Sequence, residues 1–278
     1  MQLPIPSLQL NQSNLQDYLD CPRRFELSVL KDASWPAAYS EPIGNFELST
    51  QRGNRFHLLC HQYFSGVDRE LLEYSISDPE LKLMWDSFIP FARPLVNYRF
   101  FSESLLSIPF NGHRLIAKFD LIVEISSEQY IIYDWKTASK KPARDLLDDR
   151  LQTHLYPFIF SQVGNDLFPG AEIQPPLINM HYWYPLASDH EEVFNYSDEK
   201  HQEFKNELHN LINTINDLIQ NDSTFQLTDH IPRCQYCVFR SLCDRGLSAG
   251  SWENSPYPDQ EDLTNVRFDI EQVSEIEF

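Results

Sequence analysis

Two acidic residues and a lysine in the middle of the chain could hold a metal ion and act on a phosphate ester. Asp120 ends one predicted strand, and Asp134 and Lys136 form an Asp-x-Lys pair on the next. Side chains two residues apart on a strand project to the same face of the sheet. We predict that both carboxylates bind a divalent metal, while Lys136 orients or deprotonates the attacking water or stabilises charge on the phosphate. A cross-strand ion pair is the plainer alternative.

Further polar residues could complete such a site. His57 lies on a predicted helix before the strands and could supply an imidazole ligand. His61, one turn later, is more typical of a surface histidine. Gln152 and Tyr156 are four residues apart, so they share one face of the helix that follows the Asp-x-Lys strand. That face could lie over the metal, although an ordinary amphipathic helix has the same pattern.

Four of the five cysteines have a spacing typical of a metal centre. Cys234, Cys237 and Cys243 form a C-x2-C-x5-C motif, and Cys21, in a Cys-Pro pair near the N-terminus, is the predicted fourth ligand. Four thiolates can hold zinc or an iron–sulfur cluster, and the spacing alone leaves both open, as well as unrelated core thiols. Cys60 lies in an apolar helical run, which predicts a small buried hydrophobic residue. An odd count in a long chain does not indicate a disulfide framework.

Charge and composition exclude several classes of protein. The 278 residues are 42% hydrophobic and carry a net charge of −19, so a packed core is expected and a protein whose whole surface binds nucleic acid is not. Neither a GxGxxG nor a GxxxxGK[ST] motif occurs, which argues against Rossmann and P-loop phosphate sites. We find no membrane-spanning stretch and no secretory signal pattern, and therefore expect a cytoplasmic protein.

The charge is unevenly distributed. Residues 252–278 hold eight acidic residues and one arginine, a net charge of −7. We predict a solvated, extended tail; the sharper hypothesis is that the tail competes with nucleic acid for a basic patch. The arginines that flank the four cysteines would form that patch and contact phosphate, unless they are scattered solvated side chains: Arg23, Arg24, Arg233, Arg240 and Arg245.

Hydrophobic periodicity predicts elements that position these residues. Ser13 and Gln16 are typical of a capping box, and Asn111-Gly112 indicates a hairpin turn. We predict a loop over 31–48, helices over 14–30, 50–66, 79–99, 143–162 and 197–220, and strands over 104–110, 114–124, 129–135, 177–184 and 192–196.

The order of these motifs resembles a known family. His57, Asp120, Asp134-x-Lys136 and Gln152-x3-Tyr156, bracketed by the four cysteines, resemble the RecB-like branch of the PD-(D/E)XK nuclease superfamily. Iron–sulfur members of that branch include the AddB nuclease domain and CRISPR-associated RecB-like exonucleases. The resemblance extends from Ser13 to Asp244.

The resemblance implies a fold, cofactors and roles. The fold would be a restriction-endonuclease-like α/β mixed central sheet flanked by helices, with a helical cap and cluster-bound N- and C-terminal segments. Residues 1–250 would form the nuclease domain and residues 251–278 the acidic tail. His57, Asp120 and Asp134 would hold Mg²⁺ or Mn²⁺, with Lys136 catalytic and Gln152 and Tyr156 near the scissile strand. The resemblance favours a 4Fe-4S cluster over Zn²⁺ at Cys21, Cys234, Cys237 and Cys243.

The function that follows is a metal-dependent DNA nuclease, an exonuclease acting on single strands or ends in DNA repair, recombination or defence. A helicase or a repair or defence protein is the expected partner, and no membrane is involved. One alternative is a non-catalytic nucleic-acid-binding or assembly module stapled by a metal cluster. Another is a zinc-stapled structural protein with a chance Asp-x-Lys pair.

Overall fold

A mixed β-sheet with helices on both faces forms the centre of the molecule, as the computed structural model shows for residues 7–34, 40–138 and 140–251. The hypotheses about the acidic tail at 252–278 fall outside these residues. The helices are α1 (Gln12–Asp20), α2 (Pro22–Phe25), α3 (Ile43–Phe64), α4 (Arg69–Tyr74), α5 (Pro79–Leu95), α6 (Arg144–Asp148), α7 (Leu151–Leu167), α8 (Asp198–Gln220) and α9 (Ile231–Cys234). The strands are β1 (Gln9–Leu10), β2 (Ser40–Glu41), β3 (Arg99–Phe110), β4 (His113–Ser126), β5 (Gln129–Trp135), β6 (Ile178–Trp183), β7 (Glu191–Asn195) and β8 (Gly250–Ser251).

The sheet runs in the order β1-β4-β5-β6-β7, and β3 pairs with β4. β3 pairs with β4 along almost its full length. The other edge of β4 is therefore shared by β1 and β5. β1 pairs there at Arg114 and Leu115, and β5 pairs from Leu121 onward. On that edge, residues 116–120 of β4 lie between the stretch paired with β1 and the stretch paired with β5. This gap in the strand pairing ends at Asp120.

Two apolar cores hold the helices to the sheet. The α7-side core lies between the sheet and α1, α7 and α8, and includes Phe119, Ile132 and Phe158. The α3-side core lies on the opposite face, against α3, α4 and α5, and includes Phe56 and Trp85. The predicted mixed sheet flanked by helices is confirmed.

Local signals in the sequence account for two of the elements. Asn111 and Gly112 both have positive φ, 50° and 86°, as in a type I′ turn, and they form the hairpin turn predicted between β3 and β4. Ser197 caps α8 by accepting a hydrogen bond from the Lys200 N–H at 3.1 Å. The amphipathic helix predicted over 197–220 is confirmed.

The predicted N-terminal helix over 14–30 is wrong in two respects. Its capping residue is Asn11 rather than Ser13, because the Asn11 and Asn14 side chains each accept from the other's backbone N–H at 2.9 Å. The helix also stops at Cys21, which is extended at φ −164° because a following proline disfavours helical backbone. α2 and a π-helical turn at Glu26–Leu30 continue the segment.

The other predicted helices differ mainly at their ends. α3 begins at Ile43 rather than 50, so the loop predicted over 31–48 is shorter. Pro42 lies at its N-cap, where a proline costs no intrahelical hydrogen bond. The helix predicted over 79–99 ends at Leu95 and contains Pro90 and Pro94, both exposed, while its apolar face is buried in the α3-side core. The helix predicted over 143–162 is divided into α6 and α7. Among the described residues, no helix is long and apolar enough to cross a bilayer.

Candidate functional site

Strand register places Asp120 and Asp134 at opposing positions of β4 and β5. Leu121 pairs with Tyr133, so the preceding position, Asp120, lies opposite Asp134. The ladder opens here, because the Trp135 N–H donates to Oδ2 of Asp120 at 2.7 Å instead of to a backbone carbonyl. The carboxylate is thereby fixed at the end of the break between β1 and β5.

His57 reaches the same carboxylate from α3. Its Nδ1 lies 3.1 Å from Oδ1 of Asp120, and both side chains are buried. Burial opposes ionisation of Asp120, but the charge and hydrogen bond of His57 and the Trp135 N–H outweigh it, so the pKa of Asp120 lies below its ordinary value. Asp120 is therefore ionised at neutral pH.

A close contact fixes the position of α3. A Cβ atom at Gly53 would come within 3.0 Å of Oγ1 of Thr137, the residue after Lys136. Glycine thus lets the helix pack against the chain that follows β5. Gly53 lies one turn before His57, so this contact helps to set the distance between the imidazole and the sheet.

The structure adds Glu103 to the site. A nitrogen of His57 and carboxylate oxygens of Glu103 and Asp120 all lie within 4.8 Å of one another, and we call these residues the His57 group. Ser102 pairs with Leu121 and Ser104 with Phe119, so Glu103 lies opposite Asp120. Sequence reasoning missed Glu103, because a lone glutamate between two serines has no motif; its position 17 residues before Asp120 gains meaning only from the hairpin register.

The backbone of Glu103 explains why both acids face α3. Its φ is +53°, in the left-handed region that residues other than glycine rarely adopt. Phe101 and Leu106 both pack on the α7-side core, although regular alternation would place residues five apart on opposite faces. In β4, Phe119 and Ile122 break the alternation in the same way. Because both strands lose the regular alternation at these facing positions, Glu103 and Asp120 both point toward His57.

Glu103 is the less readily ionised of the two acids. Burial, and then the charge of Asp120, raise the pKa of Glu103, while Lys118 acts in the opposite direction. Lys118, which lies on β4 two residues before Asp120 and is partly exposed, forms an ion pair with Glu103. One imidazole nitrogen and two carboxylates are ligands that fit a hard divalent ion such as Mg²⁺ or Mn²⁺.

Asp134 and Lys136 form a second set of contacts, on the α7 side. Nζ of Lys136 lies 2.7 Å from Oδ2 of Asp134 and donates to Oε1 of Gln152 at 3.0 Å. The Gln152 amide donates in turn to Oδ1 of Asp134 at 2.6 Å. One amide thus bridges both charges, and we call Asp134, Lys136 and Gln152 the Lys136 group. All three side chains are buried.

Tyr156 lies beside this group. Its ring packs on Phe119 with 4.8 Å between centroids. Burial, and then the charge of Asp134, raise the pKa of Tyr156 well above its ordinary value. Its hydroxyl therefore stays protonated at neutral pH. The predicted catalytic residues thus form two sets: His57 and Asp120 contact each other on the α3 side, and Asp134, Lys136, Gln152 and Tyr156 lie on the α7 side.

The four predicted cysteine ligands line one cavity. The cavity lies between the α1–α2 junction and the segment that follows α8. Cys21 comes from that junction, and Cys234, Cys237 and Cys243 come from α9 and the turns after it. Residues 213 positions apart thereby line the same cavity.

The thiols are less tightly gathered than the His57 group. Within the described chain, no three cysteine sulfurs lie within 4.8 Å of one another. A single tetrahedral zinc with Zn–S bonds of about 2.3 Å sets its sulfurs about 3.8 Å apart. Burial raises the pKa of Cys234, Cys237 and Cys243, and a neighbouring arginine partly offsets this in each case. Four thiols that line one cavity are a donor set that could ligate a metal group.

The predicted basic patch is gathered but largely neutralised. Arg24, Arg233, Arg240 and Arg245 line the cysteine cavity. Arg24 pairs with Asp17 at 2.9 Å, and Arg233 pairs with Asp20. Arg23 pairs with Glu26, and the buried Arg240 donates to the carbonyls of Cys237 and Leu247 at 3.0 and 3.1 Å. The arginines are therefore not scattered, and much of their charge is already compensated.

The fifth cysteine belongs to the apolar interior. Cys60 is fully buried and packs in the α3-side core with Phe56 and Leu59. The predicted assignment of Cys60 as a core residue agrees with this position.

Comparison with known proteins gives the family. The sequence pattern of the PD-(D/E)XK nuclease superfamily matches residues 9–244. A crystal structure from Eubacterium rectale named "Putative exonuclease" shares the fold, with a TM-score of 0.50 and 9% identity over 80% of this chain and 84% of that one. A second structure, named SSO0001, is 15% identical over 87% and 88% of the two chains, with a TM-score of 0.35. No curated protein matches. The chain belongs to the PD-(D/E)XK nuclease superfamily and is accordingly of a phosphodiester-hydrolysing class.

Proposed function

We propose that the protein is a Mg²⁺- or Mn²⁺-dependent DNA nuclease of the RecB-like branch, acting as an exonuclease on single strands or ends. The observation that carries the proposal is the adjacency of the His57 group and the Lys136 group across β4 and β5. His57, Glu103 and Asp120 would hold the ion, and Asp134, opposite Asp120, would complete its ligands. When bound, the ion supplies Lewis-acid polarisation of the phosphate and lowers the pKa of a bound water.

The remaining groups position charge around that site. Lys136 has its ammonium fixed by Asp134 and Gln152, so it can orient the attacking water and stabilise charge that develops on the phosphate. The protonated Tyr156 hydroxyl can donate a hydrogen bond near the scissile strand but cannot serve as a base. Burial of the Lys136 group makes these interactions stronger than they would be in water.

Cleavage of labelled oligonucleotides tests the proposal. We expect the protein to shorten linear single-stranded DNA from its ends in Mg²⁺ or Mn²⁺, to leave a closed single-stranded circle intact, and to do neither in EDTA. Asp120→Asn should abolish cleavage and Lys136→Met should remove most of it, while circular dichroism shows both folded. Stable DNA binding without cleavage by the unmodified chain would favour the non-catalytic binding module.

Exonuclease action has weaker support than nuclease action. It comes from the resemblance to RecB-like exonucleases and from the name of the Eubacterium rectale neighbour, which is similar in fold alone. Cleavage of the circle would identify an endonuclease and leave the assignment of the metal site intact.

We also propose that Cys21, Cys234, Cys237 and Cys243 ligate a 4Fe-4S cluster. Their common cavity supports a metal centre, and the resemblance to iron–sulfur members of the RecB-like branch favours the cluster, with Zn²⁺ as the alternative. Anaerobically purified protein should be brown, with about four irons per chain. Cys21→Ser should bleach it, whereas Cys60→Ala, in the apolar core, should leave the colour unchanged. A colourless preparation with one zinc would contradict the cluster.

The arginines around the cavity remain proposed DNA contacts. Arg233 keeps a side chain that is 40% exposed, so it could reach a phosphate despite its pairing with Asp20. Arg233→Gln should lower the slope of log affinity against log salt by about 0.7 for a single strand if it contacts one phosphate. An unchanged slope would leave Arg233 with a structural role only.

A further inference from the structure

We propose that Lys118 binds the nucleic-acid backbone beside the metal site. Without metal, Lys118 forms an ion pair with Glu103. With metal bound, it contacts a phosphate next to the scissile phosphate. The inference rests on the proposed function. It assigns Lys118 a role in substrate binding, which the motifs that define the site do not include.

The first observation is the accessibility of the charged groups. Lys136, the other cation of the site, has a side chain only 1% exposed and is held within the Lys136 group. Lys118 has a side chain 47% exposed, and its ion-pair partner Glu103 is 15% exposed. Lys118 therefore extends from solvent to the edge of the His57 group, and it marks the side from which a phosphate could approach.

The second observation is the balance of charge. The carboxylates of Glu103, Asp120 and Asp134 lie near the two ammonium groups of Lys118 and Lys136 and the imidazole of His57. Three carboxylates at one site oppose the approach of a negatively charged phosphodiester. A divalent ion bound among them would add two positive charges, so the site should attract the phosphodiester more strongly when the metal is bound.

The third observation is that Lys118 and the metal share a ligand. Lys118 contacts the same Glu103 carboxylate that lies within 4.8 Å of the ligand atoms of His57 and Asp120. A cation that binds this carboxylate directly weakens its attraction for Lys118, because the negative charge is then neutralised from both sides. The flexible lysine stem can then turn its ammonium toward a phosphate on the open side.

This arrangement predicts opposite effects on two affinities when Lys118 is replaced. Lys118→Met removes the competitor for Glu103, so Mn²⁺ should bind about two- to five-fold more tightly, as expected for a half-exposed ion pair. The same change removes a phosphate contact, so a single-stranded oligonucleotide should bind about ten-fold more weakly in the presence of Mn²⁺. Its log–log salt slope should fall by about 0.7.

The experiment measures Mn²⁺ binding by calorimetry without DNA, and oligonucleotide binding by fluorescence anisotropy in a Lys136→Met background, which should remove most of the turnover. Lys82→Met is the matched control, because Lys82 also forms a half-exposed ion pair, with Asp86, but lies on α5. It should change neither affinity. Lys118→Arg should restore oligonucleotide binding, since it keeps the positive charge.

Tighter Mn²⁺ binding together with weaker DNA binding supports the proposal. Unchanged or weaker Mn²⁺ binding, or an unchanged salt slope, overturns it, because a purely structural ion pair would give no opposed pair of effects. Mn²⁺-dependent cleavage by the unmodified chain tests the proposed function separately. A failed Lys118 comparison in a protein that cleaves therefore overturns the assignment of Lys118 alone.

Discussion

Gln152 is the residue whose removal should separate catalysis from metal binding. Its amide joins Asp134 and Lys136 through hydrogen bonds of 2.6 and 3.0 Å. Gln152→Ala leaves two buried charges with fewer partners, so we expect a loss of about 1–3 kcal/mol in stability and a fall in kcat. Mn²⁺ affinity should fall much less than kcat, because the three ligands of the His57 group are intact.

The control for Gln152 lies on the same helix. Gln162 makes one long hydrogen bond, to the Phe158 carbonyl at 3.5 Å, and takes no part in the site. Gln162→Ala should leave kcat unchanged in steady-state cleavage assays. Equal kcat in the two variants would remove Gln152 from the catalytic group.

The role of Glu103 as a metal ligand can be tested by measuring stability without metal at two pH values. Because its folded pKa is raised, its contribution to stability is complete below its unfolded pKa of about 4.3 and is lost as pH rises through the folded value. Glu103→Gln removes that loss, so in EDTA at pH 7 the variant should melt at a higher temperature than the unmodified chain. At pH 4 the gain should vanish.

Addition of Mn²⁺ should reverse this order. An ion at 100 times its Kd stabilises the folded chain by about 2.7 kcal/mol, and Glu103→Gln should lose much of that stabilisation. Thermal denaturation with and without Mn²⁺ measures both effects. An equal Mn²⁺ shift in both proteins would exclude Glu103 as a ligand.

At the scale of elements, the packing of α3 against the sheet should control the geometry of the site. Gly53→Ala would place a Cβ 3.0 Å from Oγ1 of Thr137, so either the helix or the threonine must move. Movement of α3 carries His57 away from Asp120. We expect weaker Mn²⁺ binding and a lower kcat/KM, measured by calorimetry and cleavage.

The same helix supplies the control for this prediction. A Cβ at Gly44 would meet nothing within 4 Å. Gly44→Ala should therefore stabilise the protein by about 0.5–1 kcal/mol, as expected when alanine replaces glycine in a helix, without changing activity. If Gly53→Ala behaves in the same way, the close approach of α3 does not position His57.

At the scale of the whole molecule, the cysteine centre joins the N-terminal segment to the end of the described chain. Cys21 and Cys234 are 213 residues apart and line the same cavity. A metal group that only the folded chain can ligate adds its binding energy to folding. Cys21→Ser should therefore lower Tm and speed proteolysis within 228–251, as mass spectrometry of the fragments would show.

The His57 group should still bind Mn²⁺ when the cysteine centre is lost. The His57 group is built on α3, β3 and β4, whose contacts with the two apolar cores do not involve the cysteine cavity. Mn²⁺ binding by Cys21→Ser should therefore be retained below its Tm. Loss of Mn²⁺ binding at a temperature where circular dichroism shows native content would make the two centres interdependent.

Several features of this protein follow from its sequence alone, because short-range rules decide them. The Asn111-Gly112 turn needs positive φ at two successive positions, which these residues tolerate. Two-residue alternation places Asp134 and Lys136 on one face. The amphipathic pattern and Ser197 cap specify α8. The motifs likewise predicted that Cys21 would lie near Cys234, Cys237 and Cys243, which line the same cavity.

Tertiary structure alone decided the rest, because the deciding interactions join segments distant in sequence. Glu103 lies in the site because of strand register and a left-handed backbone conformation, neither of which a local sequence pattern predicts. α5 continues through Pro90 and Pro94 because burial of its apolar face outweighs the lost hydrogen bonds. Asp134 binds Lys136 and Gln152 most closely because α7 packs over β5. Such contacts form only when whole elements pack together, so residue types and spacing cannot specify them.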